Sequence, residues 1–489
     1  MDSLSWPGDL SSFALSPSNL VPLLLFFVVF YLVHFYQKLR GIYRNIPPGP
    51  QPWPVVGNFG GLLLPPFIRR WSGQTSNPNI GVMEALTSQA NVYGNIYSLF
   101  VGSQLLVVLN GYEVVKDALS NHPDVFSDRP DVPAISILTK RKGIVFAPYG
   151  PVWRKQRKFC HATLRNFGLG RLSLEPCIQQ GVASVKAELL RLNEERGGSG
   201  VDPSKLISNA VSNVICSLIL GQRFHHEDPE FRTILDLMCR GLEICINSSA
   251  VLINIFPLLY YLPFGVFKEL RLVERDITVF LKKIIGNHGE TLDPDNPRDL
   301  TDMYLMEMLT QQAAGEEGSS FTEDYLFYII GDLFIAGTDT TTNSVLWVLL
   351  YMVLYPDIQG LCQSGSVNIT SPKHRLTCQH FNQTCLLCES WPASMTNPLR
   401  IMHLMMLPSN CLDFRPGPGR DRHKFRGYTI PKGTVIMPNL YSVHRDPSVW
   451  DDPNTFNPAR FLDDEGKLLR REFFIPFGIG TALIYSGAA

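Results

Sequence analysis

At 489 residues and 55.0 kDa, with a net charge of −1 and an isoelectric point near 6.8, the chain has no global pull toward nucleic acid. Its ten cysteines lack paired spacing over the first 350 residues, which excludes a disulfide framework and suits reduced thiols in a cytosolic domain. No low-complexity linker divides the chain into halves, so one large core is expected.

The first element in chain order is an uncharged run from Leu20 to Tyr36, close to the ~17–25 residues that span a bilayer as a helix. Asp2 and Asp9 precede it, whereas Lys38, Arg40 and Arg44 follow it, so positive-inside bias places the bulk of the chain in the cytosol. A cleaved signal peptide is the competing reading, but no small-x-small site follows and the flanking charges are reversed. Residues 1–45 are therefore expected to form a membrane anchor in contact with lipid. Residues 46–58, beginning Ile46-Pro47-Pro48-Gly49-Pro50, cannot form a helix and predict a stiff, extended neck.

Tyr97 to Val101 and Gln104 to Leu109, separated by Gly102-Ser103, predict a short hairpin. Most of the rest of 59–359 reads as helix: Gly111 to Ser120, Pro151 to Leu164, Pro176 to Asn193, Pro203 to Leu220, Pro229 to Cys245, Glu269 to Asn287 and Thr301 to Gln312. A mainly α fold with a small β-sheet is the expected class. In the helix opened by Pro151, Trp153 and Arg157 are four apart, so an indole N–H and a guanidinium leave one face as two donors for anionic oxygen. A snorkelling arginine over a packed tryptophan is the alternative. Arg154 and Lys158 lie on a neighbouring face, either as a docking surface for an acidic protein or as a solvated basic face. Ala250 to Tyr261 is apolar and broken by Pro257.

A Thr322 cap with Glu323 in the first turn opens one long buried helix, from about Thr322 to Tyr355. Its middle carries Ala336-Gly337-Thr338-Asp339-Thr340-Thr341 where apolar residues are expected. Ala336 and Thr340 share a face, so a small side chain lies one turn before a hydroxyl, with Asp339 beside it. An alcohol and an acid next to a gap in a buried helix can relay protons to a bound ligand. Alternatively, the threonines bond back to carbonyls one turn earlier and Gly337 eases helix packing.

This stretch resembles the oxygen-binding motif in the central helix of cytochrome P450 monooxygenases. Trp153-x-x-x-Arg157 is similar to that family's contact with the haem propionates, and Phe474-Ile-Pro-Phe477-Gly478-Ile479-Gly480 resembles the start of its haem-binding loop. Within the family the chain resembles the microsomal family-two type and its U subfamily. The resemblance implies haem b as cofactor, insertion of one oxygen atom from O2 into lipophilic substrates such as fatty acids or xenobiotics, and residence on the endoplasmic reticulum membrane. It implies electrons from NADPH through NADPH-cytochrome P450 reductase, with cytochrome b5 as a further partner. By position, Asp339 and Thr340 would relay protons, Ala336 and Gly337 would make room for dioxygen, and Trp153 and Arg157 would hold propionates. The neck would set the domain's angle to the membrane, and the 250–261 region would roof the substrate channel and dip toward lipid.

Two departures stand against this pattern. Residues 360–424 hold five of the ten cysteines and no sustained helical period, in place of the family's Glu-x-x-Arg helix. Glu188-x-x-Arg191 fits that pattern but lies in the wrong helix, and Arg460 would be the third member of the missing lock. His374, Cys378, His380, Cys385 and Cys388 invite a zinc reading, against translated intron or a frameshifted exon. In 425–489 the loop continues past Gly480 with Ile484 at the position of the family's thiolate, and isoleucine has no electron pair to donate to iron. The helix that follows the ligand in the family is also missing, so the chain is expected to be catalytically impaired. The alternative is a non-catalytic, truncated isoform that acts as a membrane-bound binding protein.

Overall fold

The computed structural model describes residues 45–52, 57–58, 82–102, 104–168, 174–198, 200–224, 228–246, 252–254, 256–315, 320–360, 422–461, 471–476 and 478–479, with single positions in 22–37 and at 463 and 469. Helices dominate, and the sheets are small, as expected. The long helix runs Glu323–Leu354, and Thr322 caps it by accepting the Tyr325 N–H at 3.3 Å. Leu326, Ile329, Ile330 and Leu333 follow the 3.6-residue period and pack into the largest core. Helices Pro151–Asn166, Ser204–Ile219, Pro229–Ile246, Gly265–Glu290 and Leu300–Ala313 contribute the surrounding side chains. The expectation that the whole central helix is buried fails at its C-terminal end. There Leu349, Leu350 and Val353 are exposed, because no described element packs over that face.

The predicted hairpin forms β1 (Ile96–Val101) and β2 (Gln104–Leu109), with Leu99 opposite Leu106. β3 (Arg422–Phe425) and β4 (Tyr428–Pro431) make a second hairpin around Gly427, whose φ of 86° suits glycine. β5 (Val435–Pro438) adds to β2 in parallel, with Val107 opposite Ile436. This pairing ties the chain after 422 to the hairpin before 110, across the atypical segment. The candidate zinc ligands His374 to Cys388 lie outside the described residues.

Residues 46–52 of the neck form neither helix nor strand, and they are more than a spacer. The Ser98 N–H and hydroxyl donate to the carbonyls of Pro48 and Pro47 at 2.7 and 2.8 Å, so β1 holds the neck. Gly49 sits so close to the Ser98 carbonyl that a side chain there would collide with it. Of the predicted anchor, Pro22, Phe26, Val29, Phe30, Val33 and Gln37 are described and helical, Asn45 lies in a turn, and the rest lies outside the described residues. Among the described residues no helix is long and apolar enough to cross a membrane.

Candidate functional site

The threonines of the central helix do three different things. The Thr340 hydroxyl donates to the Ala336 carbonyl at 2.6 Å, the back-bonding that such a residue makes inside a helix. Its lone pairs remain available as acceptors. Thr338 is buried with its hydroxyl 3.3 Å from that of Ser212 on helix Ser204–Ile219, and Thr342 is buried with no protein partner for its hydroxyl among the described residues. Asp339 is half-buried beside Thr340. A Cβ on Gly337 would stand 2.6 Å from Ile215 Cδ1, so a larger residue there would force the Ile215 side chain to move.

The second group lies on helix Pro151–Asn166 and the loops before it. Trp153 is buried, and its indole N–H donates to the Ile144 carbonyl at 2.9 Å. That bond corrects the expectation of two donors leaving one face, because the indole proton is already used. Arg157 instead lies over the Trp153 ring at 5.2 Å, held in place by the aromatic face. The second guanidinium is Arg129, which sequence reasoning misses. It is buried, donates from Nε to the Val145 carbonyl and from Nη1 to the Ser127 carbonyl, both at 2.9 Å, and lies close enough to Arg157 for the two charges to repel. Burial pushes its pKa down to about 10, Asp128 opposes the fall, and Arg157 adds to it. The available signal was an arginine in an aperiodic Phe126-Ser-Asp-Arg129-Pro130 loop, which does not by itself indicate a site.

Asp332 joins these groups to the central helix. Its Oδ2 accepts the N–H groups of Ile144 and Val145 at 2.7 and 2.9 Å. Enclosure pushes its carboxyl up to about 6, against the two N–H bonds that lower it. It stands one turn before Ala336 and two before Thr340, so the three share roughly one face. The signal for it was a carboxylate within an otherwise apolar helical run.

On the other side, His444 accepts the Ile475 N–H through Nε2 at 3.0 Å and so carries the loop that leads to Gly478. Gly478 has φ 83° and donates its N–H to the Ile475 carbonyl at 3.0 Å, while Phe477, Gly480 and Ile484 lie outside the described residues. Arg460 donates to the carbonyls of Asp452, Thr455 and Asn457 at 2.9–3.1 Å, so backbone oxygens hold it. Glu188 and Arg191 form an exposed pair at 2.6 Å, in keeping with a chance match. Arg154 pairs with Asp124 at 3.2 Å, which draws part of the expected basic surface into a local contact, and Lys158 is exposed.

Among the described residues, His288, Asp299 and Asp302 form the only cluster with the donors of a metal site. Its atoms already have partners: His288 Nε2 lies 3.0 Å from Asp299, and Arg298 grips Asp302 at 2.7 and 2.8 Å. The cluster is read as structural.

A haem fits part of this arrangement. Two adjacent guanidiniums, one of them buried, suit its carboxylates. On the axial side, isoleucine at 484 supplies no donor atom for iron.

The family model for cytochrome P450 matches residues 47–481. Cytochrome P450 2U1 of Homo sapiens is 52% identical over 449 residues, which covers 89% of this chain and 79% of that protein. Cytochrome P450 2U1 of Rattus norvegicus is 52% identical over 444 residues, covering 89% and 80%. At greater distance, cytochrome P450 2J2 of Homo sapiens is 34% identical over 460 residues, covering 94% and 84%. With a haem monooxygenase fold supported by the match and the helical architecture, the chain belongs to the cytochrome P450 family, as a microsomal family-two type that resembles the U subfamily.

Proposed function

We propose that this chain is a haem-binding member of the monooxygenase family for lipophilic substrates, fatty acids or xenobiotics, whose oxygen chemistry is impaired by the isoleucine at its thiolate position. When bound, the haem supplies oxygen activation with electrons from NADPH through NADPH-cytochrome P450 reductase, assisted by cytochrome b5. The observation that carries the reading is the placement of Arg129 and Arg157 together, one in a loop and one on helix Pro151–Asn166, with that loop system bonded to the central helix that bears Asp339 and Thr340. Arg129 and Arg157 hold the haem carboxylates, with Trp153 as the platform for Arg157. Asp339 and Thr340 would relay a proton from solvent toward the ligand, the Thr340 hydroxyl giving up its bond to the Ala336 carbonyl to donate its proton and taking one back by way of Asp339. Ala336 keeps side-chain bulk off that face, and Gly337, whose missing Cβ faces Ile215, lets the neighbouring helix come close enough to leave room for the ligand.

The protein resides on the endoplasmic reticulum membrane through residues 1–45. A second apolar surface supports lipid contact, since Phe256, Leu258, Tyr261 and Phe264 are all more than 60% exposed. A non-catalytic, membrane-bound binding protein is the second reading, favoured by Ile484 at the thiolate position.

The test is a haemin titration of the full chain, followed by reduction under carbon monoxide. Saturable 1:1 uptake without a thiolate-type Soret band is expected. No saturable uptake would overturn the haem reading, and a thiolate-type band would overturn the impairment.

A further inference from the structure

One carboxylate reaches both arms of the cationic site through the backbone of two consecutive residues, Ile144 and Val145. The Ile144 N–H donates to Asp332 and the Ile144 carbonyl accepts from Trp153, the ring beneath Arg157. The Val145 N–H donates to the same Asp332 oxygen and the Val145 carbonyl accepts from Arg129 Nε. The Val145 N–H and the Ile144 carbonyl belong to one peptide, so the bond to Asp332 strengthens that carbonyl as the acceptor of Trp153, whereas the Val145 carbonyl that accepts from Arg129 is held by position alone. The approach is specific. Gly143 has φ 86°, and a Cβ there would collide with Asp332 Oδ2 and stand 3.3 Å from Tyr328 Cβ.

We propose that Asp332 is a positioning residue for the anion site: by holding the backbone of Ile144 and Val145 it places Trp153 and Arg129, and so sets how tightly the Arg129–Arg157 pair grips a carboxylate ligand. The inference rests on reading that pair as the site for the haem carboxylates. Asp332 touches neither haem nor substrate in this role. Its effect is confined to the carboxylate end of the ligand.

The test compares haemin with its dimethyl ester, in which both carboxylates are masked, by absorbance titration of the detergent-solubilised full chain. The wild type should prefer haemin. Asp332→Ala should reduce that preference by about tenfold, the scale of one lost hydrogen bond to a charged group, while leaving affinity for the ester nearly unchanged. Asp332→Asn, whose carbonyl can still accept both N–H groups, should keep most of the preference. A second measurement needs no variant: haemin should slow hydrogen exchange at 143–149 in the wild type more than the ester does. If the wild type does not discriminate between the ligands, the reading of the arginine pair fails, and this inference with it. If the wild type prefers haemin but Asp332→Ala keeps that preference, weakens both ligands alike, or the two ligands slow exchange equally, only the role of Asp332 is overturned.

Discussion

Gly337 and Ile215 show how a single residue ties the reactive face to the scaffold. The central helix and helix Ser204–Ile219 approach so closely that Ile215 Cδ1 lies 2.6 Å from where a Cβ on Gly337 would stand. Gly337→Val is therefore expected to lower stability by about 2 kcal/mol through overpacking, despite a small gain in helix propensity. Ile215→Val removes the offending methyl and should recover most of the loss. Thermal melts of the two single variants and the double variant check this, because strictly additive effects would mean that the two residues do not share the contact. The Thr340 hydroxyl, by contrast, satisfies itself within its own helix by donating to Ala336. That geometry orients its remaining lone pairs without help from a neighbour.

At the scale of elements, helix Ser204–Ile219 is fastened at its C-terminal end by two donors. Thr301 Oγ1 donates to the Ile219 carbonyl at 2.7 Å, and His288 Nε2 reaches the Leu220 carbonyl at 3.2 Å. His288 Nδ1 meets the Ile284 carbonyl at 2.9 Å, so both ring nitrogens face acceptors and the imidazolium form is favoured. Burial alone would lower its pKa, but Asp299, the Ile284 carbonyl and Asp302 outweigh burial and raise it. The stabilisation is present below the ordinary histidine value and is lost as pH rises through the raised one. His288→Ala leaves Asp299 fully buried without this partner and should cost about 3–5 kcal/mol. Denaturant titration measures the loss, which should shrink on the alkaline side. A loss that does not vary with pH would show that His288 is neutral.

Across the whole molecule, the polypeptide after 422 is joined to the earlier part by β5 on β2, by Tyr351 and Tyr355 against Phe456, and by His444 holding Ile475. Burial drives the His444 pKa down to about 4, so at neutral pH it is the uncharged acceptor that the Ile475 N–H requires. Its folded value lies below the ordinary value of about 6.5. Its contribution is therefore present above about 6.5 and lost as pH falls toward about 4. Thermal stability followed from pH 7 to 4 should decline over that window, and His444→Gln should flatten the decline. An unchanged slope in the variant would assign the acid sensitivity to other groups.

Periodicity alone predicted the hairpin, most helices and the Thr322 cap, because helical and extended spacing are properties of neighbouring residues. The motif around Ala336 to Thr341 was equally legible, since hydroxyls and a carboxylate are conspicuous in an apolar helix. The isoleucine at 484 needed no structure to be seen. Tertiary structure decided where donors point. Trp153 was legible as a residue, but its proton goes to Ile144, and only the folded loop brings that carbonyl within 2.9 Å. Arg129 and Asp332 gained their roles in the same way: 203 positions apart in sequence, they meet through the backbone N–H and carbonyl of Val145. Sequence spacing specifies the face on which a side chain leaves its own element, whereas the partner it meets depends on how distant backbone segments pack.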